Sequence, residues 1–358
     1  MEEREDVCEK KVRGSRLLRS RIQEIKLVMD LKKLTTRFQQ FGGMRLVWQY
    51  AKLGIIPIIV RGFFRCLKKR QSFKAIYPGV LNRVEPFIVE KYGSRIQSSR
   101  SRIGELENNL LAHEHPKVIW WCWLQGIEAA PSIVKACYNS LVHGEWFKVN
   151  GYQVRVIDAE NWKEYVDLPG YIEKKWEKKQ IPPALFSDLL RLELLIKYGG
   201  SWIDSTVLCT GNVNDNQYDN FLNADLFLFQ YTKQGSIPVS ISNWFISAHS
   251  NNEMLIMLRD MLYAYWKDYD CVLDYYIFHL FFAMISKEYP EQIAAMPYGQ
   301  SQNNLALLHH WGEKFDQRKW DKLTSEVCFH KLAFRVSQNV MENKENYYNY
   351  ILTEYGRI

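Results

Sequence analysis

The chain has 358 residues, 47% of them hydrophobic and 14% aromatic, which suffices for one large domain with an appendage and lies far from a disordered composition. Its net charge of +7 is unevenly spread: residues 1–110 carry 24 Lys/Arg against 11 Asp/Glu, and residues 111–358 carry 23 against 29. The N-terminal part therefore calls for an anionic partner, a nucleic acid or a membrane surface, while the mildly acidic remainder argues against a nucleic-acid-binding protein.

In chain order, the start Met-Glu-Glu-Arg-Glu-Asp has no apolar h-region and does not read as a secretory signal. Residues 9–40 read as a charged amphipathic helix, with Leu17/Leu18, Ile22, Ile25, Val28/Met29 and Leu31 near 3.6 spacing, and Gly42-Gly43 interrupts it. Residues 44–74 hold eight Lys/Arg and no Asp/Glu around the apolar stretch Leu53-Gly-Ile-Ile-Pro-Ile-Ile-Val60. A membrane span needs about 20 apolar residues, and this run is bounded by Lys52 and Arg61 and broken by Pro57. The pattern predicts an interfacial helix followed by the basic run Lys68-Lys69-Arg70. Each Lys or Arg near an anionic leaflet contributes about 1 kcal/mol, enough in sum for reversible docking. The alternative is a helical subdomain with a solvated basic face. Residues 94–110, rich in Ser and Arg, read as a link.

The pattern changes at Pro116. Residues 118–124 read as a buried strand, 132–142 as a helix opening after Pro131, and 152–157 as a second strand. Helices are predicted over 161–165 and 171–179, then from Ser187, placed as its N-cap, to the stop at Gly199-Gly200. An apolar run from Trp202 to Leu208 follows, with Asp204 in its middle; strands follow at 226–230 and from Ile241, then helices over 252–266 and 274–287. Alternating β and α elements predict an α/β fold with a largely parallel sheet. The domains are 1–110, 111–340 and a tail, 341–358. The seven Cys, at 8, 66, 122, 137, 209, 271 and 328, are odd in number, scattered and never in C-x-x-C, which speaks against a disulfide framework or zinc site and fits a reducing cytosol.

Asp188 and Arg191 lie three residues apart and share a helix face. Asp204 is a carboxylate in an apolar run, costly to bury without a partner. Two carboxylates and a guanidinium so arranged can hold a sugar diphosphate; the bland alternatives are an i, i+3 ion pair and a turn-capping Asp. Trp123 ends the first strand, where an α/β sheet opens its ligand crevice. No P-loop, G-x-G-x-x-G or G-x-S-x-G motif is present, so kinase and Rossmann readings have no support and no nucleophile elbow is found.

Taken in order, the blocks KVIWWCWLQG (117–126), APSIVKAC (130–137), NWKEYVDLP (161–169), SDLLR (187–191), YGGSWIDST (198–206), SNWFI (242–246), DYYIFH (274–279) and HKL (330–332) resemble the bacterial capsular polysaccharide synthesis glycosyltransferases. These belong to the D-x-D sugar-transferase group with a GT-A fold, and the likeness covers about residues 40–335. The resemblance implies a GT-A-like domain with a mixed, mostly parallel sheet, preceded by the basic helical region. It implies transfer of a hexose from a nucleotide-diphosphate sugar, a UDP-sugar by preference, to a lipid-linked glycan, with retention of configuration. It places Trp123 on the base, Asp188 on sugar hydroxyls, Arg191 at the diphosphate or donor sugar, and Asp204 at the ribose, donor sugar and cation. Ser205 and Thr206 complete the motif and line the substrate. Asn243 either contacts sugar or phosphate or is a strand-terminal turn residue. Asp274 is either a helix cap or an acceptor-side carboxylate. His330 is either structural or a ligand of the cation. Thr206 stands where the group has its second Asp, so dependence on Mn²⁺ or Mg²⁺ is open. The implied setting is the inner face of the plasma membrane, reached from the cytoplasm by peripheral contact. The rival enzymatic readings are a sugar-phosphate transferase and a non-catalytic sugar-nucleotide-binding subunit.

Overall fold

The computed structural model describes residues 35–107, 115–211, 216–231 and 241–356. The chain divides into two units. The smaller comprises residues up to Val84 with Lys174–Pro182 and Tyr269–Asp274; the larger comprises Glu85–Glu173, Pro183–Asp268 and Tyr275–Ile358. Most of the predicted helix 9–40 and the predicted boundary at residue 110 lie outside the described residues.

In the smaller unit, helix α1 (Met44–Lys52) and helix α2 (Ile56–Lys69) are separated by Leu53-Gly54-Ile55. Pro57 does not interrupt a helix as the sequence suggested. It stands in the first turn of α2, where its missing N–H has no intrahelical partner to lose. Leu46, Ile55, Cys66 and Phe73 are buried, and Phe63 stacks on Phe73 with ring centroids 5.2 Å apart. The other face is apolar and open: Met44 is 74% exposed, Trp48 62% and Phe64 64%. Among the described residues no helix is long and apolar enough to cross a membrane. Asp274 also belongs to this unit, where the Tyr77 hydroxyl donates to both carboxylate oxygens at 3.1 and 3.0 Å. It is not the N-cap residue, because the helix predicted from 274 begins at Ile277 with Tyr276 as its N-cap.

Helix α3 (Tyr77–Glu107) passes from one unit into the other. The stretch read as a link is thus helical as far as Glu107. Ile88, Tyr92 and Ile96, four residues apart, are all buried, and the Tyr92 hydroxyl donates to Asp268 at 3.0 Å. That spacing anchors the helix where composition suggested a polar connector.

The sheet of the larger unit has the order β2 (Gln153–Ile157), β1 (Val118–Cys122), β3 (Gly200–Ile203), β6 (Ile241–Ala248), β5 (Leu226–Gln230). Strands β2, β1 and β3 are parallel, and β6 is antiparallel to both β3 and β5. Four of five strands therefore run one way, and the mixed, mostly parallel α/β sheet expected from the sequence is present. Strand β4 (Val207–Cys209) leaves this sheet to pair antiparallel with β7 (Phe329–Lys331). Helix α4 (Ser132–Val142) packs on β4, and helix α7 (Tyr347–Tyr355), in the segment read as a tail, packs on α4. The Asn139 amide ties α4 to the Tyr355 carbonyl at 2.8 Å.

Helix α5 (Pro183–Tyr198) packs on β1, β3 and β6, and on helix α6 (Glu253–Asp268). It is buried almost all round, including Leu189, Leu190, Leu192, Leu194 and Leu195, as expected of a helix apolar on every side. It starts one turn before Ser187. Proline at its first position presets the helical φ, and Ser187 sits inside, its hydroxyl donating back to the Ala184 carbonyl at 2.8 Å. The predicted stop is in place. Gly199 and Gly200 have φ of 71° and 90°, and a Cβ at Gly200 would lie 2.6 Å from the Val118 carbonyl oxygen, so only glycine lets β3 approach β1.

Candidate active site

All the residues of this site lie in the larger unit, at the carboxyl ends of β1 and β3. Strand β1 has its successors on either side, β2 and β3, so the crossovers leave it in opposite directions. Such a switch point opens a crevice beyond the strand ends. Trp123 follows β1 and Asp204 follows β3.

Asp204 does not sit within one continuous strand. Its N–H donates to the Trp244 carbonyl at 2.8 Å, continuing the β3–β6 pairing, and its own carbonyl accepts from Val207 N–H at 3.0 Å. The apolar run from Trp202 to Leu208 is therefore two strands joined by the turn Asp204-Ser205-Thr206. Ser205 and Thr206 are both buried in it.

Asp188 and Arg191 point from α5 toward this turn. One guanidinium nitrogen of Arg191 lies 3.2 Å from Asp188 Oδ1 and 3.5 Å from Asp204 Oδ1. The rest of the group is spent on Ser187 and on the Asn243 carbonyl oxygen, and its carbon lies 4.8 Å from the centre of the Trp202 ring. Asn243, in the middle of β6 rather than at its end, donates its amide to Asp188 Oδ1 at 2.9 Å. Trp202 Nε1 donates to Asp204 Oδ1 at 2.9 Å. The structure thus gathers Asp188, Arg191, Asp204 and Asn243 in one network. Within it Arg191, its side chain 4% exposed, faces its partners rather than the crevice.

The fifth member is Lys331. Its ammonium donates to Asp204 Oδ2 and to Thr206 Oγ1, both at 2.7 Å. The pairing of β4 with β7 puts Lys331 opposite Val207, and Leu332 N–H donates to the Thr206 carbonyl at 2.8 Å. Neighbouring residues of a strand face opposite ways, so His330 turns inward. It is fully buried, its Nε2 lies 2.8 Å from Thr210 Oγ1, and burial pushes its pKa down to about 4. The structure brings Lys331 to Asp204, not His330.

The two carboxylates differ. Burial raises the pKa of Asp188 to about 6; Arg191 opposes this and Asp204 adds to it. Burial acts the same way on Asp204, but Lys331, then Arg191, and the hydrogen bonds from Lys331 and Trp202 outweigh it and leave its pKa below the ordinary value. Two groups sequence reasoning did not select border the network. Burial, then Arg191, lowers the pKa of His279 to about 3, and its buried Nδ1 has no hydrogen-bond partner. Burial of its hydroxyl, then Asp188 and Asp204, raise the pKa of Tyr275. The sequence offers no signal for either beyond their place in the block 274–279. Trp123 is half-buried, its Nε1 is buried without a partner, and its ring meets Phe334 edge-on at 5.5 Å.

A divalent cation of the Mg²⁺ or Mn²⁺ kind needs free oxygen ligands. At Asp204 both oxygens already accept from protein donors, and Thr206 Oγ1 accepts from the same ammonium. Among the described residues no group of three His, Cys, Asp or Glu side chains is placed to hold a metal ion. The turn as built does not fit one.

A family model described as capsular polysaccharide synthesis protein matches residues 66–351, well over half of the chain. The chain belongs to that family. Curated proteins give no match. Among solved structures, one titled "PaToxG Glycosyltransferase" aligns at 12% identity, covering 75% of this chain and 96% of its own, with a TM-score of 0.35.

Proposed function

We propose that this protein is a glycosyltransferase of the GT-A type. It moves a hexose from a nucleotide-diphosphate sugar, by preference a UDP-sugar, to a lipid-linked glycan, with retention of configuration. The observation that carries this reading is the pair of carboxylates, Asp188 and Asp204, fixed by one buried guanidinium at the switch point of an α/β sheet. Carboxylates held there accept hydrogen bonds from sugar and ribose hydroxyls. Trp123 and Phe334 offer ring faces beside them for the base, and Ser205 lines the turn.

The chemistry requires stabilising the charge that builds on the diphosphate as the bond to the anomeric carbon breaks and the sugar becomes oxocarbenium-like. No further carboxylate of this network is available as a nucleophile. Attack by the acceptor hydroxyl on the leaving-group face, its proton passing to a departing phosphate oxygen, accounts for retention. Asp274, which accepts from the Tyr77 hydroxyl, belongs to the smaller unit.

A lipid-linked acceptor lies at a membrane surface, on the cytoplasmic side where nucleotide sugars are found. The open apolar face of α1 and α2, set among eight Lys/Arg with no acidic residue in 44–74, suits contact with an anionic leaflet.

The test is nucleotide release from a panel of UDP- and GDP-sugars by purified protein, with the product weighed by mass spectrometry. Release from one sugar and a product heavier by one hexose supports the reading. A product heavier by a hexose phosphate replaces it with sugar-phosphate transfer, and silence across the panel, with no nucleotide binding by calorimetry, removes it.

A further inference from the structure

We propose that Lys331 supplies the positive charge at the donor diphosphate, in place of a divalent cation, and that transfer needs no metal. This rests on the glycosyltransferase reading above. The motif that would hold a cation ends here in Thr206, a neutral oxygen. A neutral oxygen beside one carboxylate is a poor set for a dication and a good one for an ammonium, which needs acceptors in three directions. The ammonium of Lys331 sits between these two groups, 2.7 Å from each. Two of its hydrogens are spent there and a third remains to be given.

Lys331 is also the cation of the network that reaches the crevice. Its side chain is 20% exposed, and that of Asp204 is 26% exposed. Arg191 is 4% exposed, with its nitrogens committed to Ser187, Asn243, Asp188 and Asp204. Arg191 therefore positions the carboxylates, and the charge left to meet a phosphate oxygen is on Lys331. Without it, Asp204 would present a bare carboxylate to an anionic donor. With it, the turn is neutral before the donor arrives, and the donor's hydroxyls and phosphates find an acceptor and a cation side by side.

In the transfer step the bond from the anomeric carbon to the phosphate oxygen breaks, and its electron pair stays on the phosphate. The acceptor oxygen bonds to the anomeric carbon, and its proton leaves with the nucleoside diphosphate. Lys331 keeps its own proton throughout and stabilises the departing phosphate by hydrogen bond and charge.

The experiment uses the full-length protein with its best nucleotide sugar. Turnover and UDP binding by calorimetry are measured in EDTA, in Mn²⁺ and in Mg²⁺, for the wild type, Lys331→Ala, Lys331→Arg and Lys331→Ala/Thr206→Asp. Wild-type turnover and UDP affinity should change less than about twofold between EDTA and metal, the unaided protein already supplying the charge. Lys331→Ala should lower kcat by about 10²–10³-fold and weaken UDP binding in EDTA, with Lys331→Arg recovering part of both. The double variant should recover turnover only when Mn²⁺ is added. A wild type silenced by EDTA and restored by Mn²⁺ overturns this inference while leaving the glycosyltransferase reading standing, and it needs no variant to fold. Wild-type turnover by Lys331→Ala overturns it equally. Silence of the wild type on every nucleotide sugar takes the glycosyltransferase reading down first, and this inference with it.

Discussion

Charge is handled in opposite ways in the crevice and on the α1–α2 face. In the crevice, Asp188, Arg191, Asp204 and Lys331 are close enough to satisfy one another, and all are at least three-quarters or so buried or screened by partners. On α1 and α2, basic residues stand without a single acidic residue in 44–74, beside aromatic side chains open to solvent. Internal pairing fixes geometry and is costly to break. An external excess fixes no geometry of its own and, on the reading proposed above, is open to a counter-charge from outside. Mutations should therefore act on chemistry and stability in the first region and on binding alone in the second.

The largest effect is expected at Asp204. Asp204→Asn keeps the shape of the turn but removes the charge that Lys331 and the donor share. Transfer should fall by at least about 10²–10³-fold while circular dichroism stays native. Retained activity in a folded variant would remove Asp204 from the site.

Arg191→Met should act on stability instead. It leaves Asp188 and Asp204 without their common guanidinium, and losing one partner of a buried pair costs about 3–5 kcal/mol, readable as a lower urea midpoint. Arg191→Lys should not rescue it, because an ammonium cannot reach Ser187, Asn243 and both carboxylates at once. A wild-type midpoint for the Met variant would show that the network is not held by this residue.

Asp188 gives the contrast a pH signature. Its pKa stands at about 6 against an ordinary 3.8. The native state therefore holds this proton more tightly than the unfolded chain, so its contribution to stability is present at low pH and is lost as pH rises between those values. The full effect is roughly 3 kcal/mol from the size of the shift. Asp204, with its pKa lowered, contributes in the opposite sense, its stabilisation fading as pH falls below the ordinary carboxylate range. If ionised Asp188 accepts a sugar hydroxyl, kcat/KM should climb through about pH 6. Asp188→Asn should flatten that limb, and an unchanged limb would assign it to another group.

Much of this was legible in the sequence, and the omissions have physical causes. Continuous apolar runs marked the buried strands at 118–122 and 226–230, and alternation marked the half-exposed strand at 153–157, each to within two residues. The i, i+3 pair and the two glycines led to Asp188, Arg191 and Asp204. The resemblance points to His330, a late histidine, as a cation ligand and gives no signal for its neighbour Lys331. Only the register of β4 on β7 decides which of two adjacent side chains faces the turn, and a pairing across more than a hundred residues leaves no local trace. The helix through 94–107 was missed because its anchors, Tyr92 and Ile96, lie at the start of a stretch whose composition is polar.

The smallest effect belongs to the α1–α2 face. Trp48→Ser/Phe64→Ser removes two aromatic side chains that are 62% and 64% exposed, so folding should change little. Burying part of one such ring at an interface contributes on the order of 1–2 kcal/mol, so binding to vesicles containing anionic lipid should weaken roughly tenfold or more for the pair. Raising ionic strength should weaken wild-type binding as well, since a Debye length of about 8 Å at physiological salt screens exposed lysines and arginines. Turnover on a water-soluble acceptor should not change, and this separates the two regions: a face that only holds the enzyme at the surface leaves kcat alone. Equal binding by the double variant at low and high salt would mean that the exposed aromatics and the basic residues of 44–74 serve no membrane, and the acidic-free stretch would then be a solvated face of a folded subdomain.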